Sequence, residues 1–337
     1  MGDPFVASTD LGGRYQFLEG PLSYDLSVRK DREVAVFRRL AKRSFDPPLD
    51  REGEVRGFTS RVAATTEPPP APGNALAFLV EGPDARAVSG DPGSLVATFR
   101  RFDTTITLRA VEYVASGGLA SAVRAGKVSL FVHDGGTASA VVPVSPDGAA
   151  VANDITFIAV PPAGFALSMV DVVIDFGVRT SARPVAHVAA GVPLHIAIVA
   201  DARYFAHARA THDGAFSDSG LQRFNPSDKT MALKLPAPVE NTAFEAGGEL
   251  SATTSAGVVE HVLVPSSPAG TSLRIATEER TTMLPDLARL GLTRPTGSYA
   301  WSVQHFPTLE HIDDLGGEDA RVMTPVSTTK PRTIELR

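Results

Sequence analysis

The fold class is decided by the stretch Leu284-Pro-Asp-Leu-Ala-Arg-Leu-Gly-Leu-Thr-Arg-Pro-Thr-Gly-Ser-Tyr-Ala-Trp-Ser-Val303. A turn that contains proline precedes a segment in which Tyr299, Trp301 and Val303 alternate with small residues. Because side chains two residues apart lie on the same face of a strand, these three side chains are predicted to face one core. The pattern is typical of one strand of an antiparallel β-sandwich.

The same period of two recurs along most of the chain. Turn pairs such as Asp147-Gly148, Asp213-Gly214 and Asn225-Pro226 separate the strand-like segments. We therefore predict an all-β fold of tandem immunoglobulin/fibronectin-like antiparallel sandwiches with little helix. The predicted strands are Glu54–Thr65, Ala75–Glu81, Leu95–Arg101, Thr105–Tyr113, Val128–His133, Ala138–Val144, Ile155–Val160, Met169–Phe176, Val192–Val199, Thr230–Leu235, Val258–Val264, Ser272–Ala276, Ser298–Gln304 and Arg332–Leu336.

Helix is predicted in three short segments only. Leu284–Leu290 and Gly118–Ala125 are each expected to form a short helical turn. Glu33–Arg43 is interpreted as a helix, although Val34, Val36 and Phe37 also fit the end of a strand.

Composition excludes several classes of protein. The chain has 337 residues, 43% of them hydrophobic and 21% charged, which is typical of a globular protein with a buried core. A net charge of −6 argues against a general nucleic-acid binder. The absence of cysteine excludes disulfides, thiol catalysis and thiolate metal sites. No apolar run approaches the ~18 residues of a membrane span, and no cofactor is expected.

Proline-rich segments suggest the domain boundaries. Thr66–Gly73 cannot pair inside a sheet and is interpreted as a long loop within the first sandwich. Leu235–Pro238 is predicted to be a linker. We predict an N-terminal tail or addition over 1–49, one large or two small sandwiches over 50–236, and a C-terminal domain over 239–337.

The C-terminal hundred residues resemble a fibronectin type III-like module. Leu292, Pro295 and Tyr299 stand roughly as in the corner motif of those domains, with one extra residue between Leu and Pro. The resemblance implies that the Tyr299 hydroxyl returns to the main chain, and that Arg332–Leu336 is the last strand. The segment Gly248–Thr254 lacks the usual core tryptophan, so Trp301 is expected to fill that space from another strand.

The middle of the chain resembles carboxypeptidase regulatory-like repeats more loosely. The similarity lies in Glu54-Val-Arg-Gly57 and in His212-Asp-Gly-Ala-Phe216. The whole arrangement resembles the tandem-sandwich surface lipoproteins of bacteria, which implies binding or scaffolding without catalysis. The N-terminal Met1–Phe5 fits neither a signal peptide nor a myristoylation signal, and we expect a lipid-bearing cysteine to have preceded Gly2.

The expected compartment is therefore extracytoplasmic: periplasm, outer membrane or cell surface. The expected partner is another envelope or extracellular protein, not nucleic acid. Two alternatives stay open, a module that binds a polysaccharide or another ligand, and a hydrolase with a dispersed site. A sugar binder should expose aromatic side chains, whereas an enzyme should gather groups such as His207, His212 and Asp213 in a pocket.

Two charged segments are candidate sites. Carboxylates after the Trp301 strand could bind Ca²⁺ through hard oxygen ligands, and they are Asp313, Asp314, Glu318 and Asp319. A basic segment near the N-terminus could contact anionic lipid headgroups or an acidic partner. Its members are Arg29, Lys30, Arg32, Arg38, Arg39, Lys42 and Arg43. A solvated charged face is the alternative interpretation of both segments.

Overall fold

Strands dominate the chain throughout the part that the structure, a computed structural model, describes. That part comprises residues 23–30, 32–41, 45, 58–81, 85–91, 93–99, 101–176, 183–245, 247–316 and 320–336. The predicted all-β class of tandem sandwiches with little helix is confirmed by these strands. The predicted motif Glu54–Gly57 lies outside the described residues.

An N-terminal hairpin and a first sandwich precede residue 145. The hairpin consists of β1 (Tyr24–Lys30) and β2 (Glu33–Leu40). The first sandwich consists of β3 (Phe58–Glu67), β4 (Asn74–Glu81), β5 (Ala85–Asp91), β6 (Ser94–Phe99), β7 (Asp103–Val114), β8 (Ala122–His133) and β9 (Thr137–Pro143).

Two further groups of strands follow. The second group is β10 (Ala149–Ala159), β11 (Ala166–Asp175), β12 (Arg183–Val188), β13 (Pro193–Val199), β14 (Arg203–His212), β15 (Ala215–Asp218), β16 (Gln222–Phe224) and β17 (Thr230–Leu233). The third is β18 (Glu240–Phe244), β19 (Glu249–Thr253), β20 (Val258–Pro265), β21 (Ser272–Thr277), β22 (Thr281–Met283), β23 (Gly297–Phe306), β24 (Val326–Thr328) and β25 (Arg332–Leu336).

The helical segments among the described residues are each no longer than seven residues. The α-helix α1 covers Ala320–Met323, and 3₁₀ turns cover Ala115–Ser121, Pro146–Gly148, Leu287–Leu290 and Ile312–Leu315. The helical turn predicted within Leu284–Leu290 is confirmed, since Asp286 accepts a hydrogen bond from the Ala288 amide at its start. The turn predicted at Gly118–Ala125 ends earlier, at Ser121, where β8 begins.

The first sandwich packs the sheet β5-β6-β3-β9 against the sheet β4-β7-β8. In β3 every second side chain is buried, and Val62 and Ala64 lie in the core with Phe99 and Leu108. The proline-rich segment connects β3 to β4. From Pro68 onward it is therefore a loop inside this sandwich, as predicted. The prediction is wrong for Thr66 and Glu67, which belong to β3 and pair with Val142 and Pro143 of β9.

Glu112 on β7 holds that loop in place from a fully buried position. Its carboxylate accepts hydrogen bonds from the Ala71 amide at 2.9 Å, from Asn74 at 2.6 Å and from Arg124 Nε at 2.5 Å. Arg124 also donates to the Pro69 carbonyl at 3.0 Å. Burial raises the pKa of Glu112, but the hydrogen bonds from Asn74, Ala71 and Arg124 outweigh burial and leave the pKa below its ordinary value of 4.5.

Replacing Glu112 with glutamine is expected to lower the free energy of unfolding by about 2 kcal/mol at neutral pH, because charge-assisted hydrogen bonds to a buried group are lost. A lowered native pKa gives stability that is present above about pH 4.5 and is lost as the pH falls through the native value. Denaturant unfolding at pH 7 and below pH 4.5 measures both effects. An unchanged acid limb in the variant would contradict the role of Glu112.

The second sandwich faces the sheet β13-β10-β17 toward strands β12, β11 and β14. Its core includes Ile155, Phe157, Val172 and Ile196, and it also takes in Leu79 from the first sandwich. The hydrophobic cluster thus crosses from one sandwich to the next.

The third sandwich packs the sheet β18-β19-β22 against β21-β20-β23 with β25. Tyr299, Trp301 and Val303 all face its core, as their alternation predicts. Trp301 lies in that core on β23, so the expectation that it enters from another strand is confirmed.

One sheet of twelve strands runs beyond the third sandwich in both directions. On one side β24 pairs with β15 of the second sandwich, through Phe216 opposite Thr328 and Asp218 opposite Val326. On the other side β2 pairs in parallel with β21, through Val34 opposite Leu273. The twelve-stranded sheet therefore takes strands from the predicted N-terminal segment, from the 50–236 block and from the C-terminal domain. The domain division itself stays a prediction.

The helix predicted over Glu33–Arg43 is wrong where the chain is described, because Glu33–Leu40 is the strand β2. Val34 and Val36 pack into the core of the third sandwich, while Ala35 and Phe37 pack into a separate cluster with Phe306 and Ile312. A strand that is buried on both faces loses its alternation, so its pattern does not distinguish it from a helix.

Gly220 fixes the join between the second and third sandwiches. Its φ is +65°, and a Cβ there would stand 2.7 Å from the Met323 carbonyl oxygen. Gly220→Ala is expected to destabilise the chain by about 2 kcal/mol, from left-handed strain and backbone collision together. Gly214→Ala is the matched control, because Gly214 has a φ of +81° but its nearest neighbour is Lys330 Cγ at 3.6 Å. Equal losses of thermal stability in the two variants would contradict the collision.

Candidate functional site

The basic segment is spread along the N-terminal hairpin. Arg32 lies at the turn and donates to the Pro268 carbonyl at 2.7 Å. Arg38 pairs with Asp25 at 2.6 Å, and Arg39 pairs with Glu279 at 2.7 Å. Arg38 lies six positions beyond Arg32, which corresponds to about 20 Å along a strand. Arg29 is exposed on β1, the side chain of Lys30 is not described, and Lys42 and Arg43 lie outside the described residues.

The arginines of known position therefore lie toward two ends of the hairpin. Those at the Arg38 end have carboxylate partners from within the chain. Contact of the segment with anionic lipid or an acidic partner stays a prediction.

The acidic loop is described only in its first half. Asp313 is buried, and both of its carboxylate oxygens accept from the Ala41 amide, at 3.2 and 3.1 Å. Asp314 accepts from the His311 amide at 3.3 Å. Glu318 and Asp319 lie outside the described residues. Asp313 thus ties the loop to the end of β2, and calcium binding by the four carboxylates stays a prediction.

His207, which was named from the sequence, lies with His187 on one outer surface of the second sandwich, and His195 lies on the other. His187 and His207 flank Asp171 on neighbouring strands, and Asp171 is opposite both in the sheet register. His207 Nε2 is 3.1 Å from one Asp171 oxygen, and His187 Nδ1 contacts the other. On the other sheet His195 contacts Asp154 at 2.7 Å.

The His207 row continues toward β15. His207 Nδ1 is 3.9 Å from Asp218, which also accepts from Arg209 Nε at 2.8 Å. Basic side chains (His187, His207 and Arg209) and carboxylates (Asp171 and Asp218) thus alternate across the strands and link them. The geometry gives His207 two acidic neighbours, Asp171 and Asp218, that the sequence analysis missed. Asp171 could have been noticed as a carboxylate between Val170 and Val172 of a predicted strand.

His212 and Asp213 do not join His207. They lie five residues further along at the β14–β15 turn, about 17 Å away for an extended strand. The Asp213 carboxylate accepts a hydrogen bond from Lys330 at 2.7 Å, and this bond lowers the pKa of Asp213. Across the described ranges, no group of three or more His, Asp or Glu residues could hold a metal ion.

The large aromatic side chains are mostly buried. Tyr204 and Tyr299 are each 2% exposed and Trp301 is 1% exposed. Tyr204 donates to the Ala197 carbonyl at 3.0 Å, and burial raises its pKa to about 12. These three rings cannot form a platform for a sugar, which counts against the polysaccharide alternative.

The Tyr299 hydroxyl reaches the main chain at a position other than the one that the resemblance implies. It accepts from the backbone of Thr271, in the connection between β20 and β21. A tyrosine corner bonds to backbone a few residues upstream of the tyrosine. The contact at Thr271 ties β23 to its neighbouring strands instead.

A buried ion cluster joins the first and second sandwiches. Arg109 of β7 is 3% exposed and contacts Glu81 at 3.1 Å and Asp201 at 3.6 Å. It donates to the Ala200 carbonyl at 3.1 Å, and its guanidinium carbon lies 4.2 Å from the centre of the Phe176 ring. Ala200, Asp201 and Phe176 belong to the second sandwich, so one cation holds the two modules together.

A pocket of about 290 Å³ opens between the two sheets of the first sandwich. It is lined by Leu76, Ala77, Phe78, Val88, Ser89, Gly90 and Leu95. No ionisable side chain lines it, so it does not gather the histidines and carboxylates that a dispersed active site would need. In the described residues, no helix has both the length and the apolar character needed to cross a membrane.

The fold defines the class of this protein as a chain of tandem all-β sandwiches. Comparisons with known proteins do not assign the chain to a family within that class. No protein-family model matches the sequence, and no curated protein matches it. Among solved structures, it is similar to the FN1–FN3 domains of chicken CNTN1, with 9% identity and a TM-score of 0.19 over 95% of this chain and 96% of that chain. It is also similar to a Streptococcal ancillary pilin, with 7% identity and a TM-score of 0.17 over 83% of this chain and 95% of that chain. TM-scores this low carry no argument about fold or function.

Proposed function

We propose that this chain is a non-enzymatic structural or protein-interaction protein of an extracytoplasmic compartment. The observation that supports this role most directly is the use of its buried charge. Arg109 is a buried cation of the first sandwich, and it contacts Asp201 and the Ala200 carbonyl of the second sandwich. It also contacts Glu81 of its own sandwich. Because this buried cation is used in contacts between two sandwiches, we infer that its role is to hold the sandwiches together.

The second join supports the same role by a different means. There β24 pairs with both β15 and β23, so backbone hydrogen bonds cross from the second sandwich into the third. Ser217 reinforces this join by donating to the Pro236 carbonyl at 2.7 Å. Sandwiches that are fixed to one another present their loops and edges at set positions, which suits a scaffold.

Residues 239–337 are proposed to be a fibronectin type III-like module within this scaffold. A three-stranded sheet packed on a larger one, with Trp301 and Tyr299 between them, supports the assignment. We further propose a lipid-anchored chain with an envelope protein as its partner, and contact of the basic segment with anionic headgroups.

The test is a pull-down from cell-envelope extract with the immobilised chain, in calcium and in EDTA. We expect one protein to be retained in stoichiometric amount and to be released by excess free chain. Loss of that protein in EDTA would implicate the loop of Asp313, Asp314, Glu318 and Asp319. Retention of polysaccharide without protein, or turnover of a polysaccharide by the chain, would contradict the proposed function.

A further inference from the structure

An apolar pocket and the edge of a strand meet at one side of the first sandwich. The pocket of about 290 Å³ is lined by Leu76 and Phe78 of β4, and by Val88 and Leu95 of the facing sheet. We propose that this side binds an extended segment of a partner protein, which adds to β4 as a further antiparallel strand and places two apolar side chains in the pocket. The proposal rests on the proposed role as an interaction protein and names the kind of segment that is bound.

The main chain of β4 offers hydrogen-bonding groups at the pocket. Just before the strand, Gly73 lies opposite Ala115, and the Ala115 amide donates to the Gly73 carbonyl at 3.4 Å. Because hydrogen-bonded pairs alternate along an antiparallel ladder, the amides and carbonyls of Leu76 and Phe78 point away from β7. Among the described residues, β7 is the strand that pairs with β4, and no other element bonds to the main chain at these two positions.

Strand β4 also lacks the features that usually protect an edge. Its residues 75–80 include no charged residue and no proline. Strand β8, the opposite edge of the same sheet, carries Arg124 and Lys127. Charged side chains on an edge disfavour the addition of a further strand, so this sheet has one protected edge and one open edge.

The chemistry of the pocket defines the side chains that it can accept. None of its lining residues, all of which are described, is ionisable. Residues directly opposite Leu76 and Phe78 in an added strand would place their side chains on the same face, between the two sheets. The bound segment is therefore expected to carry apolar residues two positions apart. Asp91, next to the lining residue Gly90, is exposed, which favours a basic residue at an end of the segment.

This arrangement is the usual means of binding an extended peptide. Main-chain hydrogen bonds to the strand edge supply affinity, and the pocket for alternate side chains supplies specificity. A volume of about 290 Å³ lies at the lower end of the range for ligand pockets, roughly 300–1,000 Å³. The pocket therefore suits side chains better than a whole small molecule.

A synthetic heptapeptide, Lys-Thr-Leu-Thr-Leu-Thr-Lys with both ends blocked, is the probe for this site. Its binding to the full chain is measured by fluorescence polarisation. Replacing both leucines of the peptide with serine is expected to weaken binding about 100-fold, because two apolar side chains no longer enter the pocket. Failure of the leucine peptide to bind at about 1 mM, or equal binding of the serine peptide, would overturn the proposal.

Two methylated peptides test the pairing with β4. In the proposed antiparallel pairing the leucine amides face β4, whereas the threonine amides face away from it. N-methylation of both leucines is therefore expected to weaken binding at least about tenfold, while N-methylation of two threonines leaves it within about twofold. Equal affinities of the two methylated peptides, or weaker binding by the threonine-methylated one, would contradict the added strand.

A pair of chain variants tests the pocket itself. Leu76→Trp fills the pocket from β4 and is expected to weaken binding of the leucine peptide at least about tenfold. Leu130→Trp is the matched control, because Leu130 is also a partly buried leucine on an edge strand of this sheet and packs against the same core. Thermal unfolding establishes that both variants fold. Equal affinities of the two variants for the peptide would refute the site and leave the pull-down result standing, so the site and the proposed function fail separately.

Discussion

Replacing Arg109 with methionine is expected to lower the free energy of unfolding by about 3–5 kcal/mol, the usual cost of removing one member of a buried ion pair. The change removes the buried cation beside Glu81 and Asp201, which keep only the half-exposed Lys127 as a cationic neighbour, and it removes the donor to the Ala200 carbonyl. Methionine keeps apolar contact with Phe176, so the loss reports on charge more than on packing. Denaturant unfolding measures this loss, as the free energy of the transition in which the first two sandwiches unfold.

Lys127→Met is the matched control in the same cluster. Lys127 contacts Asp201 at 3.1 Å, but its side chain is 50% exposed. Solvent screening limits such a pair to about 0–1 kcal/mol. Equal losses in the two variants would show that Arg109 does not hold the modules together.

The second large effect is a loss of stability between pH 6.5 and pH 4 that depends on His261. Burial lowers the pKa of His261 from 6.5 to about 4. The ring is fully buried on β20 and stacks on Trp301 with 5.8 Å between ring centres. In the unfolded chain this histidine takes up its proton near pH 6.5, whereas in the folded chain it resists protonation until about pH 4.

The sign of the effect follows from proton uptake. Between these two values the unfolded state binds more protons, so stability is complete above pH 6.5 and declines as the pH falls toward 4. At about 1.4 kcal/mol per pH unit, the decline is about 3 kcal/mol. Burial also lowers the pKa of His305, although its contact with the Ala256 carbonyl opposes the shift, so His305 adds to the decline in the same direction.

His261→Leu should remove most of this decline. At pH 7.5 the variant is expected to be nearly as stable as the parent chain, because an apolar group replaces a buried polar one of similar size. Unfolding free energies at pH 7.5, 6.0 and 4.5 give the comparison. Parallel pH profiles for the variant and the parent would contradict the assignment to His261.

Sequence alternation predicted the strands with one buried face. On β23 the prediction that Tyr299, Trp301 and Val303 face the core is confirmed, because β23 places its other face toward more polar surroundings. Alternation in the sequence did not predict β2, which is buried on both faces. It also did not predict β14, whose core side chains include Ala206 and Ala208. Alanine is a weak indicator of strand, so only tertiary packing defines β14.

Candidate sites were less predictable, because they depend on register between distant segments. His207 meets Asp171, which lies 36 positions earlier, only because β11 and β14 pair with these residues opposite each other. Arg109 meets Asp201 across two sandwiches. Neither pairing has a local signal, whereas the loop that follows Glu67 was predictable because its prolines exclude a strand interior.

The parallel pairing of β2 with β21 has a consequence for synthesis of the chain. Glu33 is paired with Ser272, which lies 239 positions further along. At about 5–20 residues per second, the ribosome makes β21 roughly 10–50 seconds after β2. Val34, Val36 and Phe37 must wait during that interval without their final neighbours, so a nascent-chain chaperone has its main opportunity at the beginning of this polypeptide.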